Sequence, residues 1–466
     1  LILARTQAIR QSHRFDANPI SGYSEGELLR QVNWEFFVIF AARSAAKITK
    51  NSQFTCLSEQ LIKKELMYNN IARDYILLAF AIDRHIPGYI DAYFGPEEVK
   101  TEALSRDKVA ITTLVDEAAR LAQAIAESEF ETQRAEFLAA QVIAMQTTLR
   151  LLQGEHLPLA QEVELLYGLA PEWVDESRFE EAHRQLDELL LPDENLAVRM
   201  AAYKKSAEVS VSAALPLLNE IRLRLRALAR QRFSLPAAED FELAMVTDKP
   251  WSGYNWFLGK AHSRIEINTD LPLRAINFLA LMAHEGYPGH HTELSFKETR
   301  LLHEKNWQEH GIALINTPSC SISEGIANCA LDTLLTAEEQ VAWEKELFAK
   351  AGLKLDAAWA RQVRAAFKPL ARVTGNAAFL LSEQGRSKEE VAVYIEKWGL
   401  SSPVEARKSV EFISHPLYRS YIFNYTLGVD LLERLFEVKG NRQTWFTRLL
   451  TEPITPRMIV RWIERN

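Results

Sequence analysis

The stretch His284-Glu285-Gly286-Tyr287-Pro288-Gly289-His290-His291 places three imidazoles and a carboxylate within eight residues. Neutral imidazoles are the commonest metal ligands among side chains, and a glutamate beside the first histidine is where zinc hydrolases keep their general base. The preceding residues, 275–283, read AINFLALMA. A run that is apolar on every side predicts a core helix rather than a surface one. Packing alone gives no reason for a core helix to deliver His, Glu, His and His into an interior.

The spacing departs from the usual zinc-hydrolase helix, in which two histidines stand at i and i+4 on one face. Here i+4 is Pro288, and the next histidines fall at i+6 and i+7. On an unbroken helix they would lie about 9 and 10.5 Å along the axis from His284. That is too far for imidazoles sharing a zinc at roughly 2.1 Å. Pro288 removes a helix hydrogen bond and Gly289 tolerates unusual dihedrals. The segment is therefore expected to bulge or break, returning His290 or His291 towards His284. The competing reading is a helix C-cap with histidines in solvent, but a cap needs none of the three.

Catalytic zinc commonly takes a third protein ligand, often a carboxylate from elsewhere in the chain. Glu324 is the candidate, where the small polar stretch Pro318-Ser319-Cys320-Ser321-Ile322-Ser323 runs into a mostly apolar helix. The alternative is a first-turn glutamate favoured by the helix dipole. Further on, Tyr418, Tyr421 and Tyr425 stand at i, i+3 and i+7, on one face of a helix. Their hydroxyls could stabilise an oxyanion, or the face could be an aromatic core stripe. In an extended segment over 261–268, His262, Arg264, Glu266 and Asn268 point one way and Ala261, Ser263, Ile265 and Ile267 the other. As an edge strand it could add a substrate peptide. Arg264, or Arg419 beside the tyrosines, could clamp a terminal carboxylate bidentately; the competing reading of Arg264 is a solvated charge.

HEGYPGHH followed by Ser323-Glu324-Gly325 resembles the signature of the family called domain of unknown function 885, and is more distantly similar to the thermostable carboxypeptidase family of zinc peptidases. Ser263-Arg264-Ile265-Glu266-Ile267-Asn268 falls where those peptidases place a short strand, and Tyr421-Ile422-Phe423-Asn424-Tyr425-Thr426-Leu427-Gly428 resembles their tyrosine-bearing segment. The resemblance runs in motifs from about residue 71 to the C-terminus. It implies a multi-helix peptidase-like fold around a deep groove. It also implies a zinc ion on His284, His290 and Glu324, Glu285 as base, Tyr425 and Tyr421 at the oxyanion, and cleavage of C-terminal residues from small peptides. The extra Pro-Gly in the metal segment is a departure from the carboxypeptidase pattern.

Composition fits a large enzyme. The chain has 466 residues, 47% hydrophobic and 25% charged, with a modest, unclustered net charge of −8. Neither a nucleic acid nor an anionic membrane is expected as a partner. Cys56, Cys320 and Cys329 form no disulfide framework, which points to a reducing compartment. With no convincing signal peptide or transmembrane span, a cytoplasmic location is expected. His85 and Tyr93, in a segment that also resembles the uncharacterised family, read as structural.

The remaining pattern is helix after helix: 71–82, 109–128, 129–152, 160–169, 178–191, 196–233, 340–367, 371–381, 388–398, 403–414, 418–438 and a last one through 465. Strands are expected over 241–246 and 261–268. Residues 1–66 are mixed in composition and read as an N-terminal extension, with one mainly helical domain over 67–466. The expectation is a mainly α protein with a small β-sheet beside the metal helix. Its predicted function is zinc-dependent hydrolysis of small peptides, of carboxypeptidase or oligopeptidase type. The alternatives are a catalytically silent metal-binding or scaffold protein on such a fold, and a hydrolase of a non-peptide amide.

Overall fold

Helix formers and well-placed caps account for most of the architecture. A computed structural model describes residues 52–190, 194–249 and 251–465, the side chains of 52–63 excepted. The chain divides into two units, Leu1–Met67 and Tyr68–Asn466, and the site lies in the second. The expected extension over 1–66 falls mostly outside the described residues.

Helix α1 (Ser52–Asp83) starts earlier than its apolar pattern becomes clear. The short strand β1 (Ile90–Tyr93) follows, then α2 (Glu97–Ser105), α3 (Ile111–Glu127) and α4 (Thr132–Leu152). Helix α3 turns Leu114, Ala118, Leu121 and Ile125 inward at helical spacing. Helices α5 (Leu159–Tyr167), α6 (Ser177–Leu189), α7 (Leu196–Ser206) and α8 (Val211–Phe233) come next. The stretch expected as one helix over 196–233 is thus two. Ser210 caps α8 by accepting from the Ala213 amide, and Glu208–Val209 pairs with Leu273–Arg274 between the helices.

The sheet beside the site has three strands: β2 (Asp240–Val246), β3 (Gly253–Gly259) and β4 (His262–Asn268). Strand β4 is central, parallel to β2 and antiparallel to β3. This corrects the expectation that 261–268 forms an edge. The strand at the sheet's end facing the site is β3, which glycines at both ends disguise in the sequence.

The metal-bearing run is α9 (Phe278–Glu285) and α10 (His290–Lys297). Strand β5 (Ile312–Leu314) pairs antiparallel with β1, and α11 (Pro318–Leu334) begins with proline in its first turn. Then follow α12 (Ala337–Lys350), α13 (Ala357–Phe367), α14 (Val373–Ser382), α15 (Lys388–Gly399), α16 (Pro403–Ser414), α17 (Asn424–Lys439), α18 (Arg442–Thr451) and α19 (Pro456–Glu464). The single helix expected over 340–367 is broken at Gly352, whose φ is +70°, and restarts where Asp356 caps α13.

Two apolar clusters hold this unit together. One gathers α5–α9 with α11 and the C-terminal helices; the other gathers α1–α4 with β1 and β5. A cavity of about 440 Å³ draws its walls from both, with Tyr75 and Leu314 from the second and Cys320 from the first. The protein is mainly α with small sheets. No described helix is long and apolar enough to cross a membrane.

Helices α11 and α17 meet backbone to backbone. A Cβ on Gly428 would lie 2.2 Å from the Ser321 carbonyl oxygen, and one on Gly325 would lie 2.8 Å from that of Gly428. Only glycine permits this approach, and it carries the tyrosine segment up to Glu324.

Candidate metal centre

Helix α9 ends as its sequence requires. Pro288 cannot continue it, the Tyr287–Pro288 bond is cis, and α10 restarts at His290. The reversal is tight enough that a Cβ on Gly289 would lie 1.9 Å from the His284 carbonyl oxygen. The Gly289 amide donates to the Ala283 carbonyl at 2.9 Å, and the Thr292 hydroxyl to the Gly286 carbonyl at 3.1 Å. The axial separation of a continuous helix disappears: the rings of His284 and His290 stand 4.7 Å apart, nearly perpendicular.

One ligand atom from each of His284, His290 and Glu324 can be chosen so that all lie within 4.8 Å of one another. Glu324 Oε2 is 3.6 Å from His284 Nε2, and Oε1 is 3.9 Å from His290 Nε2. Tetrahedral zinc at about 2.1 Å wants its donors roughly 3.4 Å apart, so small side-chain movements would close the set. Glu324 Oε1 accepts the Tyr421 hydroxyl at 2.7 Å, whereas Oε2 is buried without a partner. An orphaned buried oxygen costs stability unless something else occupies it. Burial raises the Glu324 carboxyl to about 8 despite the Tyr421 hydrogen bond, with Glu293 and Asp91 adding to the rise. Burial also lowers His284 to about 3, helped by His290, and His290 to about 4, helped by Lys297. Both imidazoles are therefore neutral near pH 7, the form that ligates a metal. The donor set fits zinc.

His290 is oriented from behind. The Ser323 hydroxyl donates to Glu293 Oε2 at 2.5 Å, so it accepts from His290 Nδ1 at 3.0 Å, leaving the Nε2 lone pair towards Glu324. Lys297 donates to the other Glu293 oxygen. His291 turns the other way. Its Nδ1 lies 2.8 Å from the Ser263 hydroxyl on β4 and its Nε2 3.5 Å from Glu239, between the rings of Phe241 and Tyr287. Of the two histidines, it is His290 that stands with His284.

Glu285 ends α9 with Oε1 4.0 Å from His284 Nε2. Burial pushes its carboxyl up to about 8, with Glu324 and Asp91 contributing. Among the described residues none donates a hydrogen bond to that carboxylate. Tyr418, Tyr421 and Tyr425 all line the cavity, although they do not share one helix: α17 starts only at Asn424, and Tyr421 stands in a short 3₁₀ turn. Tyr421 is committed to Glu324, while Tyr425 is 40% exposed, its ring 5.7 Å from that of Tyr421.

Both arginines stand away from the cavity wall. Arg264 is half-exposed, 3.2 Å from Glu266 and 4.0 Å from Glu242. Arg419 makes a bidentate pair with buried Glu162, its Nε at 2.9 Å. His85 bonds the Val109 carbonyl, Tyr93 the Pro96 carbonyl, and His415 stacks on Tyr418.

The cavity also holds residues that sequence reasoning passed over, among them Asp91, Trp251, Tyr254, Trp256 and His310. Asp91 is the only carboxylate between His85 and Pro96, a signal that was available.

No protein-family model matches the chain, and no curated protein matches it. The chain is similar to solved structures, two of which follow. A "putative lipoprotein" from Colwellia psychrerythraea is 13% identical, with 76% of this chain and 67% of that one covered, at a TM-score of 0.47. A "putative lipoprotein of unknown function" from Shewanella oneidensis is 11% identical, with 100% and 97% covered, at a TM-score of 0.42.

Proposed function

We propose that the protein is a zinc-dependent hydrolase of small peptides. The observation that carries this reading is the convergence of His284, His290 and Glu324 on one point of a cavity wall, with a fourth group, Glu285, directly beside them. When bound, zinc would acidify a water molecule and polarise the scissile carbonyl. His284 and His290 would hold the ion through Nε2 and Glu324 through its carboxylate, whose Oε1 Tyr421 steadies. Glu285 takes a proton from the attacking water and returns it to the leaving amine. A base whose carboxyl titrates close to the working pH suits this shuttle; burial and Glu324 raise Glu285, and a dication beside it would bring it back down so that it can accept the proton. Tyr425, whose hydroxyl is free of described protein partners, is the donor to the oxyanion. A cavity of about 440 Å³ suits short peptides rather than folded proteins.

Glu285→Gln tests the assignment. It should keep the metal and the fold while turnover of a peptide library falls by about 10³–10⁴-fold. Wild-type turnover in this variant would remove Glu285 from the chemistry.

A further inference from the structure

Asp91, Glu285, Glu293, Glu309 and Glu324 line the cavity, against a single lysine, Lys297. Their charges can be paired off one at a time. Lys297 donates to Glu293. Arg134 grips Glu309 through two bonds of 2.6 and 2.8 Å in a buried pair. A divalent ion at the proposed centre would offset Glu324 and Glu285. Asp91 is left over: among the described residues no lysine, arginine or histidine lies within salt-bridge distance of it. Its side-chain partner is the Tyr254 hydroxyl, a neutral donor.

The Tyr254 ring that meets Asp91 belongs to an aromatic cluster. Tyr254 stacks on Trp251 at 5.3 Å and meets Trp256 at 4.7 Å, and all three rings line the cavity. Aromatic faces clustered beside an uncompensated carboxylate attract an ammonium group and repel a carboxylate. The same wall offers little to a substrate carboxylate. Arg264 and Arg419 are elsewhere, Lys297 is 9% exposed and committed to Glu293, and burial holds His310 neutral.

We propose that Asp91, Tyr254, Trp251 and Trp256 form a subsite for a primary ammonium of the substrate, so that the preferred peptides carry a free amine near the scissile bond. This rests on the hydrolase reading above, and reverses the C-terminal direction that the carboxypeptidase resemblance implies. The ammonium can be the peptide's N-terminus or a lysine side chain.

The test uses the zinc-loaded full chain and a lysine-free tripeptide in three forms: unblocked, N-acetylated and C-amidated. N-acetylation should lower kcat/KM by about 10- to 100-fold, the range of a charge-assisted hydrogen bond, while C-amidation has little effect. Asp91→Asn should lower kcat/KM for the unblocked peptide by a similar factor and leave the acetylated one unchanged. If a lysine added to the acetylated peptide restores cleavage, and acetylating that lysine abolishes it, the subsite reads the side chain. Equal cleavage of blocked and unblocked peptides with no gain from the added lysine, or equal loss for amine-bearing and fully blocked peptides in Asp91→Asn, would overturn the subsite. Should Asp91→Asn fail to fold, Trp256→Leu carries the same comparison, because Trp256 is already 39% exposed.

If no peptide is cleaved, the hydrolase reading is what fails. The subsite is then decided by calorimetric binding of phenethylamine against N-acetylphenethylamine. Binding of the amine alone, weakened at least about 10-fold by Asp91→Asn, supports it, and equal binding of both compounds overturns it.

Discussion

Glu239 and Glu285 are both buried glutamates, each beside a histidine of the same eight-residue segment, and their surroundings drive them in opposite directions. Burial would raise Glu239, but His291, Tyr287, Arg226 and Arg230 more than offset it and hold its carboxyl at about 2. Its two oxygens take Arg226 at 3.0 Å, Arg230 at 2.8 Å and Tyr287 at 2.5 Å. Glu285 has no such donors, and burial leaves it at about 8. Near it, Glu324 Oε2 is an orphan. Buried polar groups whose bonds are saturated build the fold; those left unsatisfied on a cavity wall are where chemistry is to be sought. The two histidines are sorted by position: His290 lines the cavity, and His291, bonded to Ser263, does not.

The sharpest way to break this comparison is to empty the saturated side. Glu239→Ala leaves Arg226 and Arg230 facing a buried tyrosine and should destabilise the protein by about 3 kcal/mol, moderated because Arg230 is half-exposed. Chemical denaturation should show this with zinc content unchanged. Loss of zinc at full stability would reverse the roles given to the two glutamates.

A pH series sharpens it further. The folded-state carboxyl of Glu239 is depressed to about 2, against about 4.3 when unfolded. Its stabilisation is therefore complete above the unfolded value and is lost as pH falls from about 5 towards 2. Glu239→Gln should flatten the acid limb of the stability curve over that window. An unaltered limb would mean that Glu239 is not held by its partners.

On the open side, Ser323→Ala removes the hydroxyl between His290 Nδ1 and Glu293. Competition with a chelator should show zinc affinity lowered by about 10- to 100-fold, with thermal stability of the metal-free protein little changed. Unchanged affinity would show that Ser323 does not orient the ligand.

How far these roles could be read from sequence depended on whether the cause was local. The approach of His284 and Glu285 to one of the two following histidines was legible because Pro288 and Gly289 announce the break between them, though not which of His290 and His291 it is, and Glu324 was legible because a small polar stretch leads it into an apolar helix. The order of strands was not legible: alternation over 262–268 tells which side chains share a face, not that β4 is paired on both edges. Strand β3 was missed, and with it Trp256 and Tyr254, whose hydroxyl meets Asp91. The partner of Arg419, Glu162, is 257 residues away in sequence, so no local pattern could show that this arginine is already spent. The tyrosines reached the cavity without the helix expected for them, because the glycine contact between α11 and α17 positions the whole segment.

The account stands most directly on which histidine would hold the proposed metal. Elemental analysis of protein purified without added metal should find about one zinc per chain in the wild type. His291→Gln should keep that zinc even if the protein melts earlier, and His290→Gln should lose most of it. Full zinc in His290→Gln, with loss in His291→Gln, would contradict the centre described here.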